Sequence, residues 1–197
     1  ILSGQTVTAF WHSVRHAQPL MAAGVCYGAL DVPADADETR RAALALATQL
    51  PANTRIISSP LQRCEQLALE LQALRPDLAS KPDARLREMD FGSWEGVAWS
   101  DIPRAAIDAW TADFATHRFG GKESANEVLT RVAAAWDELH SVGDTLWIAH
   151  SGVAQAATLL HQGVRHIAQA KDWPVTPLQY GGWMRLQSAQ PDAAQAC

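Results

Sequence analysis

The run TVTAFWHSV, from Thr6 to Val14, breaks off abruptly in Arg15 and His16, and this does most to limit what the chain can fold into. From Val7 to Val14, apolar residues fall at both parities, as expected of a strand whose two faces are both covered. Such a strand belongs in a sheet flanked by helices. Its carboxyl end would deliver two polar side chains to the sheet edge where, at a topological switch point, open α/β sheets bind their ligands. On its own, an Arg-His pair after a strand is more often an exposed loop or a satisfied structural pair, so its meaning depends on the rest of the chain.

Two later segments repeat the device. RIIS, from Arg55 to Ser58, reads as a short strand, followed by Ser59 and Pro60 as N-cap and first residue of a helix PLQRCEQLALELQAL. Arg63 then sits in the first helical turn, where free amides add to an anion-attracting field. The segment Asp144 to Ala149 reads as another strand and ends in His150, Ser151 and Gly152. If these strands are parallel neighbours, Arg15, His16, Arg63 and His150 converge at one edge. Two guanidiniums and two imidazoles there match a phosphoryl group, because Arg presents planar donor forks to its oxygens.

The intervening segments fit an α/β order. A loop from Ala17 to Ala34, long for a compact domain, leads to a helix opened by Asp35, Asp37 and Glu38. Trp99 to Phe114 reads as a helix with Ile102, Ala106, Ile107 and Trp110 on one face. Ser124 and Glu127 form a capping box before an apolar stripe of Val128, Leu129, Val132, Trp136 and Leu139. A helix from about Val153 to Gln162 follows, then a last strand within PLQYGGWMRLQ. There is no internal repeat and no linker, so residues 1–197 form a single domain with 189–197 as a flexible tail.

Composition narrows the function. With 48% hydrophobic and 19% charged residues the chain is globular rather than disordered, and a net charge of -5 gives no electrostatic footprint for nucleic acid or an anionic membrane. Cys26, Cys64 and Cys197 are too scattered for a disulfide framework or a cysteine-based metal site, and His12, His117, His140, His161 and His166 show no metal-ligand spacing. No apolar stretch approaches the roughly 18 residues of a membrane span. The expectation is a cytoplasmic protein, monomer or homodimer, with no metal, no cofactor and a small phosphorylated partner.

Five motifs in order, RH, SSPLQR, LREMDFGSWEG, GGKES and AHSGV, cover nearly the whole chain and resemble the histidine phosphatase superfamily, whose fold includes cofactor-dependent phosphoglycerate mutase. The loop GVCYGALDVPA resembles that of the alpha-ribazole phosphatase branch. The family's usual RHG is departed from at Ala17. The resemblance implies a three-layer α/β/α sandwich with a mostly parallel, phosphoglycerate mutase-like sheet. It also implies a metal-independent phosphomonoesterase, with His16 as nucleophile, Arg15, Arg63 and His150 holding the phosphoryl oxygens, and Glu88 as proton donor. Neighbouring Arg charges would keep a nucleophilic imidazole neutral, and a leaving alkoxide needs a proton that a carboxyl group can supply. Gln18, Tyr27, Gly28, Trp94 and Ser151 are expected to touch the substrate, with one or two of Trp94, Trp99 and Trp110, beside Tyr27, walling a pocket for a flat base; core packing is the competing explanation for the tryptophans. Alpha-ribazole 5'-phosphate is the expected substrate. A mutase, another small-molecule or phosphoprotein phosphatase, and a catalytically silent phospho-ligand sensor remain open. Glu95 competes with Glu88 as the acid.

Overall fold

The computed structural model describes residues 9–139 and 143–187. The expected tail, His140, Cys197 and the first residues of the opening strand lie outside that range. Five strands form one sheet in the order β3-β2-β4-β1-β5: β1 Phe10–Arg15, β2 Arg55–Ser58, β3 Ser80–Pro82, β4 Thr145–Ala149 and β5 Trp183–Gln187. All neighbours are parallel except β5, which runs antiparallel to β1. The register sets Arg15 opposite Ala149 and Ser58 opposite Ile148, so β1, β4 and β2 end at one level. This is the phosphoglycerate mutase-like α/β fold expected from the sequence.

The helices are α1 Ala36–Ala47, α2 Gln62–Leu74, α3 Arg104–Ala112, α4 Ala125–Trp136 and α5 Ser151–His161. Strand alternation divides the core into two layers. Val14, Ile56, Leu146 and Ile148 face α1 and α2, meeting Ala43, Leu46, Leu67 and Leu71. Trp11, Trp147 and Ala149 face α4 and α5, meeting Leu129, Val132, Val153 and Ala157. A smaller cluster of Cys26, Ile102 and Phe119, backed by Trp94 and Trp110, fills the region around α3. No helix among the described residues is long and apolar enough to cross a membrane.

Local chemistry sets the boundaries. Asp35 caps α1 by accepting the Glu38 amide at 2.8 Å, and Ser124 with Glu127 forms the expected capping box of α4. Three boundaries differ from expectation. Helix α2 begins at Gln62, not at Pro60, because Ser59 stays with the sheet: its amide donates to Ile148 at 2.8 Å. Helix α3 begins only at Arg104, after a separate turn at Trp99–Asp101, since Pro103 holds Ile102 in an extended conformation. Ser151 and Gly152 belong to the first turn of α5. Strand β3 has no counterpart in the expected order; a three-residue polar edge strand ending in Pro82 carries no hydrophobic period.

Candidate active site

Strand β1 ends in Arg15, and His16 follows with its amide still bonded to Ala149 at 3.2 Å. The ring of His16 is buried and its orientation is fixed. Nδ1 lies 2.7 Å from the Ala17 carbonyl oxygen, which can only accept, so Nδ1 carries the proton. Nε2 then presents its lone pair, and Arg63 Nε donates to it at 3.3 Å. Burial, then the Arg63 charge, push the His16 pKa down to about 3, with Arg15 adding to them and the Ala17 carbonyl opposing. The imidazole is therefore neutral at physiological pH.

Arg63 is fully buried and spans the site. Its Nη1 donates to Leu30 O at 2.8 Å and its Nη2 to Gly28 O at 2.6 Å, so the loop after His16 is tied to the first turn of α2. Arg15 donates from Nη1 to Leu178 O at 2.8 Å and lies 3.8 Å from the centre of the Tyr180 ring, a cation–π contact. The Tyr180 hydroxyl meets that of Tyr27 at 2.8 Å. His150, whose ring centre is 5.1 Å from that of His16, has Nε2 2.8 Å from Ser59 Oγ and 3.6 Å from Cys64 Sγ. Its Nδ1 is buried without a partner among the described residues. Burial is also the main reason that its pKa lies well below the ordinary imidazole range, with the neighbouring His16 ring and the Arg63 guanidinium next.

Glu88 approaches from the loop after β3. Its Oε1 accepts the Met89 amide and its Oε2 the Gly152 amide, both at 3.1 Å. A Cβ on Gly152 would collide with Glu88 Oε1, so only glycine lets the carboxylate lie against the start of α5. Arg131 of α4 holds the Glu88 loop from behind. Its Nη1 reaches the carbonyls of Arg85 and Arg87 at 2.7 Å each and its Nη2 that of Glu88 at 3.2 Å, while Glu123 pairs with its Nε at 2.6 Å. These groups surround a cavity of about 390 Å³, lined by Arg15, His16, Arg63 and Glu88 and walled by Phe91, Trp99, Trp110, Phe114, Trp173 and both tyrosines. Among the described residues, no three His, Cys, Asp or Glu side chains gather as a metal site.

The family model of the histidine phosphatase superfamily (branch 1) matches residues 12–188. The chain belongs to this superfamily. Among solved structures, it is similar to a mycobacterial glucosyl-3-phosphoglycerate phosphatase, at 25% identity and a TM-score of 0.71, covering 89% of this chain and 88% of that one. Two others share the fold. A mycobacterial hydrolase has 24% identity and a TM-score of 0.78, covering 94% of this chain and 92% of that one. The TTHB049 protein of Thermus thermophilus has 24% identity and a TM-score of 0.67, covering 90% and 92%. No curated protein sequence matches the chain.

In this member of the superfamily, Arg15, His16, Arg63, Glu88, Tyr27 and Ser151 reach the cavity, with His150 packed against His16. Gly28 contributes its carbonyl to Arg63 rather than a wall. Gln18 and Trp94 do not line the cavity. Gln18 is exposed and bonded through its backbone to Asp35 and Glu38, and Trp94 packs near Phe119 at 6.0 Å because the turn at Gly92–Trp94 carries it into the small cluster. Glu95 is occupied elsewhere: it accepts the amides of Gly28, Ala29, Leu30 and Phe91 at 2.9–3.0 Å and so staples two loops together. Sequence reasoning missed Tyr180, Arg131, Phe114 and Trp173 at the site. Only Tyr180 carried a signal, the turn-forming Gly181 and Gly182 after it, the first at φ +66°.

Proposed function

We propose that the chain is a phosphomonoesterase that passes the phosphoryl group first to His16 and then to water. The observation that carries this is the imidazole of His16, a neutral ring with its proton held on Nδ1 and its Nε2 lone pair beside a guanidinium. A ring used only to bind an anion would serve better protonated. Arg15 and Arg63 together match the double negative charge of a phosphomonoester, and in a water-poor site fixed donors stabilise the charge that develops on phosphorus. A Ser59 hydroxyl that donates to His150 Nε2 leaves the ring proton of His150 on Nδ1, which has no partner among the described residues and is available to a phosphoryl oxygen held beside His16.

In the first step Nε2 of His16 attacks phosphorus, the P–O bond to the alcohol breaks, and protonated Glu88 gives its proton to the departing oxygen. In the second, Glu88 as carboxylate takes a proton from water, the water oxygen attacks phosphorus, and the Nε2–P bond breaks to free phosphate. The enzyme returns with Glu88 protonated. Water is favoured over a second alcohol as acceptor because a sugar-acid substrate needs a cation for its carboxylate, and the cations lining the cavity, Arg15 and Arg63, are taken up by the phosphoryl group.

Alpha-ribazole 5'-phosphate, to which the loop GVCYGALDVPA points, is the first substrate to assay, beside glucosyl-3-phosphoglycerate and 3-phosphoglycerate. Phosphate release is measured in excess chelator for the protein and its His16→Ala variant. Expected is chelator-resistant release, absent in the variant, with an acid-labile, base-stable phosphoenzyme trapped on quenching. Release that survives His16→Ala would overturn the mechanism; isomerised phosphoglycerate without free phosphate would replace the hydrolase with a mutase.

A further inference from the structure

We propose that the cavity admits phosphomonoesters whose alcohol is uncharged and carries a flat ring, and turns away those whose alcohol carries a carboxylate. This rests on taking the cavity as the site of phosphoryl transfer, and it concerns the part of the substrate that leaves.

The wall beyond the reacting groups is a prebuilt aromatic block. The rings of Trp99 and Trp110 lie within 11° of parallel at 6.4 Å, and Phe119 backs both, at 7° from Trp99 and 17° from Trp110. Phe114 continues the block from Trp110 at 5.4 Å, and Trp173 meets it edge-on. Rings fixed by one another lose little freedom when a further ring joins the stack, so binding there carries a small ordering cost. A dry cavity of roughly 150 Å³ is enough for benzene, so about 390 Å³ leaves room for a bicyclic ring beside a phosphoryl group. Trp99, 38% exposed, marks the side from which such a ring would enter.

Charge points the same way. The cations lining the cavity are Arg15 and Arg63, and Glu88 adds a carboxyl group. A carboxylate on the alcohol would lose water and meet mostly indole and phenyl faces, whose π clouds repel an anion, with neutral donors such as the Ser151 hydroxyl but no further cation to replace its hydration. A neighbouring recess of about 290 Å³ on the far side of Glu88 offers no refuge, since Arg87, Lys122 and Arg131 there are outnumbered by Glu88, Asp90, Glu123 and Glu127.

The test compares phosphomonoesters of primary alcohols, so that the leaving oxygen stays alike while its body changes: ethyl, benzyl and 2-naphthylmethyl phosphate, and 3-phosphoglycerate. Expected is a rise in kcat/KM of about tenfold or more from ethyl to naphthylmethyl, with 3-phosphoglycerate lowest, and collapse of the gradient in Trp99→Ala and Phe114→Ala. Independently, 2-naphthylmethylphosphonate should bind the His16→Ala protein at least about tenfold more tightly than ethylphosphonate does, read by tryptophan fluorescence. If nothing is hydrolysed but the naphthyl phosphonate still binds preferentially, the hydrolase is lost and the ring preference stands. A flat series, equal phosphonate affinities, or 3-phosphoglycerate as the best substrate would overturn the proposal.

Discussion

Keeping an imidazole neutral beside two guanidiniums makes His16 a group that folding deprives of its proton. In an unfolded chain its pKa is the ordinary 6.5, and in the folded protein it is about 3. Between these values the unfolded state binds the extra proton. Stability contributed by the neutral ring is thus complete above pH 6.5 and is lost as pH falls towards 3, by up to about 1.4 kcal/mol per pH unit for one such group. His150 acts in the same direction. Urea denaturation from pH 7.5 to 4 should give a steeper decline for the intact protein than for His16→Gln; parallel declines would mean that His16 titrates normally in the fold. The residues that carry this chemistry were legible in the sequence because each closes a recognisable strand or opens a helix. Their partners were not. Ala17 O, Leu178 O and the Ser59 hydroxyl become partners only through the path of the loops, which no periodicity encodes.

At the scale of elements, the legible features were those written in short-range chemistry. The capping box of α4 follows from the spacing of Ser124 and Glu127, and β2 from its β-branched run. Arg131 is harder to read: on the helix it looks like a solvated charge, yet it gathers three backbone carbonyls of the loop that carries Glu88. The first turn of α5 meets Glu88 from the other side through the Gly152 amide. Gly152→Ala tests this junction, since the added methyl must displace the Glu88 carboxylate rather than the helix. Displacement of a reacting group by about 1 Å costs roughly a hundredfold. We expect a kcat lower by about that factor with KM and Tm little changed. A variant as fast as the parent would show that Glu88 does not need this seat.

The whole molecule sets its site on a sheet whose two faces are unequally filled. Behind β1 and β4, Trp11, Trp136 and Trp147 meet edge-to-face with ring centres 5.3–6.0 Å apart, a rigid packing unit under the strand that presents His16. Trp147→Ala should cost about 3–5 kcal/mol in urea denaturation, whereas Leu69→Ala, on a side chain 66% exposed, should stay within about 0.5 kcal/mol. Similar losses would mean that the cluster does not anchor the sheet. The parallel order and its polar strand ends were readable from sequence; the antiparallel seat of β5 beside β1 was not, because a half-buried edge strand has little pattern of its own. That seat also imposes a schedule. During synthesis on the ribosome, His16 and Arg63 emerge early, whereas Leu178, Tyr180 and β5 emerge only after α5. Until they arrive, β1 offers an unpaired edge to any other unfinished chain and Arg15 lacks its support. A translation product interrupted before β5 therefore keeps that open edge and leaves Arg15 without its support, and chaperone protection matters most for this protein until β5 is made.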